Sequence, residues 1–460
     1  MAKACASRLK TLKTPMKHLA KIDVPLYLRN KNQAKLGRRA NRIWRDKRRK
    51  ESHHEIIGKH FGTRSRIIEM VAGNTVAKEI LKGKVTFRAP AVFSLIENPE
   101  GTLQALIPLA RQLLVRRFRR IAINLSEAKS YDLGANAILD VLVDELRVQA
   151  RRTGRRLHWS GSYPSDPGLR RFVRAMGVIK KLEVKHEYPL PEEAAGLEVF
   201  DWRCKHYIRA VRPNESDLKS RVTQKFADHI NGCLKRVSKT LTPPARHRLC
   251  QYIGEVIDNA EEHAGMLDWS IQGYLDTHLA VPLCEIVIFS FGRTIAQTFE
   301  ALPAGHYTRD QVQSYIDLHQ QGGLFTAGWR PDDLYTLIAL QGHVSTKNNS
   351  TTDTRGNGSV DLIEFFQKVH AECTKEFPDS KARMALVSGS THVQFDGTYK
   401  MEPNQNGVRI IAFNKANDLH QRPDSRFVHE LKGVYFPGTI LSIKFPLSTA
   451  KLSTSEGEGK

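Results

Sequence analysis

Across 460 residues the chain carries 71 Lys or Arg against 48 Asp or Glu, a formal net charge of +23, and 40% of its residues are hydrophobic. That length exceeds one ordinary core and predicts two or three domains. No stretch approaches the run of about 18 apolar residues a membrane span needs, the lysine-bearing N-terminus lacks the apolar segment of a secretory signal, and six scattered cysteines form no CxxC pair. These features exclude a zinc ribbon and a disulfide framework and predict a soluble, cytoplasmic protein without a transmembrane segment.

The charge is local. Residues 1–50 hold seventeen Lys or Arg against Asp23 and Asp46, or +15, leaving +8 for the other 410. Within them, residues 31–50 (KNQAKLGRRANRIWRDKRRK) combine ten cations with the single aromatic Trp44. Such a run suits phosphate backbones through counterion release, and equally suits an acidic protein, an anionic surface or a solvated tail. Residues 1–80 are expected to be a basic, partly ordered arm with a short helical patch at Ile67–Val71.

From Phe87 onward apolar runs alternate with helical patterns. Strands are expected at Val92–Ile96, Ile121–Leu125 and Leu157–Ser160, with helices at Leu103–Val115, Ala135–Ala150 and Gly168–Met176. Ile138, Leu139, Leu142, Val143 and Leu146 give one helix an apolar face able to cover a sheet. The run Ala122-Ile123-Asn124-Leu125-Ser126 through Tyr131-Asp132-Leu133-Gly134-Ala135, followed by Ser160-Gly161 and Phe172–Val178, resembles a STAS domain. The likeness implies an α/β domain over residues 85–188 that docks a protein partner. Anti-sigma antagonists of that family carry a phosphorylatable serine after the helix-opening aspartate, whereas Asp132 is followed here by Leu133-Gly134. Self-phosphorylation is therefore not expected, and Ser126 and Ser130 read as turn residues.

Pro189, Pro191 and Pro213 mark residues 189–220 as a linker with the first strand of a second domain, 221–450, before a tail at 451–460. The informative stretch is Arg248–Gly265, RLCQYIGEVIDNAEEHAG. Leu249, Tyr252, Ile253, Val256, Ile257 and Ala260 fall on one helical face, while Glu255 and Asn259, four apart, project together from another. An amide oxygen is a hard ligand for Mg²⁺, and a carboxylate one turn away can take a proton from a nucleophile.

Glu255, Asn259 and Ala260 resemble the N box of GHKL ATPases, the group of gyrase, the Hsp90-type chaperones, histidine kinases and MutL. By that resemblance Asn259 holds Mg²⁺, Glu255 is the general base, and His263 approaches the phosphates. Further on, the apolar strand Glu285–Phe289 runs into Ser290-Phe291-Gly292, where the family carries Asp-x-Gly-x-Gly. Gly292 matches and Ser290 stands for the adenine-reading Asp; a hydroxyl accepts a hydrogen bond, more weakly than a carboxylate does. Gly342 through Lys347, then Arg355-Gly356-Asn357-Gly358 before a helix, resemble the glycine-rich ATP lid, with Lys347 and Arg355 charging the phosphates and Gly356 and Gly358 admitting backbone N–H groups. Gly438-Thr439 before the strand Ile440–Phe445 resembles the closing Gly-Thr of the same family.

The fold class expected is thus α/β throughout: a STAS-like domain, then a GHKL-type α/β sandwich in which helices cover a mixed sheet. The cofactors implied are ATP and Mg²⁺. The activity implied is that of an ATPase switching a macromolecular partner; an anti-sigma-type serine/threonine kinase and a degenerate nucleotide sensor stay open, as does a second copy of the chain as partner. A two-component histidine kinase would need a dimerising helical hairpin where the STAS-like unit stands.

Overall fold

The computed structural model describes residues 65–73, 84–114, 119–205, 218–264, 266, 268–320, 329–346, 348, 350, 358–376 and 381–447. The basic run 31–50 and the tail lie outside them. All described residues belong to one compact unit, Phe61–Lys460. Among them no helix is long and apolar enough to cross a membrane.

The architecture is mixed α/β. Strands β1 (Lys84–Arg88), β3 (Arg120–Asn124) and β5 (His158–Ser162) form a parallel sheet in the order β1-β3-β5; β2 (Val92–Phe93) and β4 (Ser130–Tyr131) pair beside it. A seven-stranded sheet follows, ordered β13-β10-β9-β14-β8-β7-β6, from β6 (Leu197–Cys204), β7 (Asp268–Asp276), β8 (Leu283–Phe291), β9 (Arg383–Gly389), β10 (Thr391–Phe395), β13 (Val428–Glu430) and β14 (Phe436–Pro446). Its neighbours all run antiparallel. The small ribbon β11 (Glu402–Pro403) and β12 (Arg409–Ile410) stands apart.

The two sheets share one hydrophobic core through the Leu133–Arg152 helix. Its apolar residues Ile138, Leu139, Leu142, Val143 and Leu146 are buried as the periodicity predicts, but so are Ala135, Ala137, Val141 and the polar Asn136, Asp140 and Glu145. The helix is therefore enclosed rather than one-faced, because it also packs on β7, β8 and β14. Asp132 caps its N-terminus, accepting from the Ala135 N–H at 2.7 Å and the Ser94 hydroxyl at 2.5 Å, while the next N–H, that of Leu133, donates to Glu285 of β8 at 2.7 Å. Burial raises the carboxyls of both Asp132 and Glu285 above their ordinary range, and Lys444 of β14, 3.5 Å from Glu285, opposes the shift. Ion pairs to buried carboxylates tie the layers further: Arg171 to Asp276 at 2.7 Å, and Arg203 to Glu145 and Asp268 at 2.8 and 3.1 Å.

Several predicted elements move. The Val92–Ile96 strand shrinks to Val92–Phe93, since Ser94 leaves the strand to bond Asp132 and Thr102. The helix expected from Leu103 begins at Pro99, capped by Asn98 through the Gly101 N–H, and ends at Leu113. The helical patch near Ile67 is an ordered helix, Arg66–Ala72, whose Ile67, Ile68 and Val71 belong to the core. β1 begins three residues before the expected onset of regular structure, its alternating pattern being short and bracketed by charges.

On its other face the seven-stranded sheet carries the helices Leu218–Lys235, Pro243–His263 and Gly358–Glu376, which enclose a second core with Ile286, Ile288, Leu441 and Ile443. β8 alternates sides: Val287, Phe289 and Phe291 point into the first core, Ile286 and Ile288 into the second. That is why the EIVIF run reads as continuously apolar.

Candidate functional site

Helix, sheet and loop enclose a cavity of about 1270 Å³ on the second face. The Pro243–His263 helix forms one wall. Thr242 caps it, Pro243 and Pro244 open it, and Leu249, Ile253, Ile257 and Ala260 anchor it in the core. That anchoring turns Glu255 and Asn259, both exposed, toward the cavity they line. Gly254 lines it too, and a Cβ placed there would meet nothing within 4 Å, so open space lies beside Glu255.

The sheet supplies the floor. Ser290 of β8, Thr439 of β14 and Ser388 of β9 occupy one register row across three neighbouring strands. Ser290 and Thr439 line the cavity; the Thr439 hydroxyl lies 2.9 Å from that of Ser388, which also accepts from the Ile295 N–H at 2.9 Å. Apolar Ile288, Met384, Leu386 and Leu441 surround this row. A planar heterocycle fits such a floor, apolar with a few fixed hydroxyls.

Two glycines make the strand ends fit. Gly292 has φ +134°, and a Cβ on it would sit 2.0 Å from the Ala264 carbonyl oxygen; Gly438 has φ +145°, and its Cβ would sit 2.0 Å from the Ser290 carbonyl oxygen. Gly292 is absent from the cavity wall. Its place is steric: it lets the end of β8 pass under the helix, where the Arg293 N–H donates to Ala264 at 2.8 Å.

The third wall is the start of the Gly358–Glu376 helix. Gly358 is buried, lines the cavity and presses against Glu255. Val344, Ser345 and Thr346, the described beginning of the glycine-rich loop, line the cavity as well, so both described ends of that loop meet it. Lys347, Arg355 and Gly356 lie outside the described residues, as does the side chain of His263.

Basic side chains line the cavity too: Lys219, Arg246 and Arg293, with the His247 imidazole, none of them singled out from the sequence. Lys219 reaches Asp258 at 2.6 Å and Arg246 reaches Asp228 at 2.6 Å. They come from helices and loops distant in sequence, so only folding assembles them; helical phase alone would have aligned Asp258 with the cavity. Asp361, in the first turn of the Gly358–Glu376 helix, has its carboxyl raised by burial, with Arg409 opposing.

Among the described residues no group of three His, Cys, Asp or Glu could hold a metal ion by itself. An amide oxygen and a carboxylate facing open space beside cationic groups suit Mg²⁺ carried by a polyphosphate, because this ion keeps waters and takes few protein ligands. Asn259 and Glu255 fit that role. No family model matches the chain, and no curated protein or solved structure matches it either.

Proposed function

We propose that the chain binds ATP with Mg²⁺ in this cavity and works as an ATPase of the GHKL type, a nucleotide-dependent switch acting on a macromolecular partner. One observation carries the reading: Glu255, Asn259, Ser290, Gly358 and Thr439, drawn from four separate stretches of sequence, line the same cavity. In this reading the adenine lies on the apolar floor with its amino group toward Ser290 and Thr439. The phosphates extend toward Asn259 and the N-terminus of the Gly358–Glu376 helix, whose backbone N–H groups favour anions. The Asn259 amide oxygen would hold Mg²⁺, which would supply charge that offsets the triphosphate. Glu255, beside the open space at Gly254, takes the proton of the attacking water.

Transfer of phosphate within the chain is disfavoured, because the position after Asp132 is Leu133, which is 1% exposed and has no hydroxyl. A protein partner of the STAS-like layer would dock away from the Leu133–Arg152 helix, which is committed to the internal core.

A thermal-shift assay tests the site. At a hundredfold excess over its dissociation constant, Mg-ATP should add about 2.7 kcal/mol of stability, and Asn259→Ala should lose most of that gain. Glu255→Ala should retain the shift while turnover falls by on the order of 10². Absence of a shift in the wild type at millimolar ATP would sink the reading; an Asn259→Ala protein that still gains the full shift would sink the metal assignment.

A further inference from the structure

Parallel sheets are nearly always covered on both faces, and among the described residues only one face of the β1-β3-β5 sheet is covered. Val85, Phe87, Ile121 and Ile123 point into the core with half-buried Trp159. The opposite positions form three register rows on the outer face. Lys84, Arg120 and His158, all exposed, make the first. Thr86, Ala122 and Ser160 make the second, and Arg88, Asn124 and Ser162 the third. No row contains a carboxylate, and the single apolar residue, Ala122, is small and 7% exposed. Among the described residues none forms an ion pair with Lys84, Arg88 or Arg120.

We propose that this open sheet face binds the sugar-phosphate backbone of a nucleic acid without reading its sequence. The cations neutralise phosphates and release counterions. Thr86 adds a hydroxyl donor of the kind that bonds phosphate oxygens, whereas the Ser160 and Ser162 hydroxyls already donate to the Ile121 carbonyl and to Asn124 Oδ1. From Lys84 to Arg88 the strand advances roughly 13 Å at about 3.3 Å per residue, enough to reach more than one phosphate of a single backbone. His158 carries the one aromatic ring in these rows, so there is no platform on which successive bases could stack. It also lacks the buried aromatic or aliphatic anchor on which protein interfaces depend, and the apolar side chains that enter a bilayer. Charge complementarity therefore selects a polyanion with a regular backbone. The net charge of +23 agrees in sign; the three strands lie apart in sequence from the basic run at residues 31–50, and none of their residues lines the nucleotide cavity.

The experiment uses the full-length chain. Fluorescence anisotropy with a short labelled single-stranded RNA and a duplex DNA, from about 50 to 200 mM salt, compares three proteins: wild type, the face variant Lys84→Glu/Arg88→Glu/Arg120→Glu, and a charge-matched control, Lys235→Glu/Lys375→Glu/Lys415→Glu. These positions are exposed, and melting curves verify that each protein folds; Arg120→Glu alone serves if the triple variant does not. The face variant should bind on the order of tenfold more weakly or worse, with the logarithmic salt slope reduced by about 2 to 3, and the control should stay near wild type. Comparing RNA with DNA identifies which backbone is preferred. Equal weakening in face variant and control means general charge attraction and overturns the proposal. So does unchanged binding in the face variant, or a wild type that binds phosphatidylserine vesicles or an acidic peptide but no nucleic acid.

Discussion

Gly358 opens its helix so close to Glu255 that a Cβ added to it would lie 2.7 Å from the Glu255 Cβ and 3.3 Å from its Cγ. The glycine is thus a spacing device: it lets the helix start approach the carboxylate that the Pro243–His263 helix presents.

Replacing it with alanine tests that relation. The contact is with the stem of the side chain, not its flexible end, so a helix must move. Gly358→Ala should cost about 1 to 3 kcal/mol, the usual penalty for overpacking, and should displace Glu255 enough to lower nucleotide turnover more than nucleotide affinity. A melting curve and a turnover assay on the same preparation check both. An alanine variant with wild-type stability and turnover would show that the two elements are not coupled.

Ser290 and Thr439 face one another in register beneath the cavity. If this pair reads the base, Ser290→Asp supplies a charged acceptor in place of a neutral one, worth about 1 kcal/mol or somewhat more. Binding should then favour ATP over GTP several-fold more than in the wild type, as measured by competition titration. An unchanged ATP-to-GTP ratio argues that the base lies elsewhere.

Acid sensitivity should arise at the far edge of the large sheet. His392 and His429 are register partners on β10 and β13, with Nδ1 and Nε2 3.3 Å apart. Burial, and secondarily His429, lower the His392 imidazole to about 3, below its ordinary 6.5. The unfolded chain therefore binds the proton more readily than the folded one. This contribution is fully present above about pH 6.5 and is lost as pH falls toward 3, at about 1.4 kcal/mol per unit in the steep part. His392→Leu, which removes the titrating ring, should flatten the fall in melting temperature between about pH 6 and pH 4.5 relative to wild type. Parallel pH profiles for the two proteins would place the acid sensitivity in other groups.

Much of this arrangement is legible in the chain because it depends on local pattern. Helical spacing placed Leu249, Ile253 and Ile257 inward and Glu255 with Asn259 outward, as the structure has them. The βα alternation after Phe87 marked two strands of the small parallel sheet, β3 and β5, but missed β1, and the strand expected at Val92–Ile96 proved a short pair with β4 outside that sheet, ended where Ser94 turns to bond Asp132. β8 was visible as an apolar run, though not that both its faces are buried.

Other features exist only once distant segments meet. The sequence identified Gly292 as a motif glycine, and the fold gives it the task of clearing the Ala264 carbonyl rather than lining the cavity. Ser388, which orients Thr439, and Lys219, Arg246 and Arg293, which line the cavity, belong to elements whose own periodicity says nothing about a shared site. The burial of polar Asn136, Asp140 and Glu145 on the enclosed helix was likewise decided by a second sheet arriving from later in the chain. Periodicity determines which side of an element is apolar, because it is a property of neighbouring residues along one axis. Which surface covers that side, and which side chains from other elements converge there, is set by long-range packing that no single stretch of sequence records.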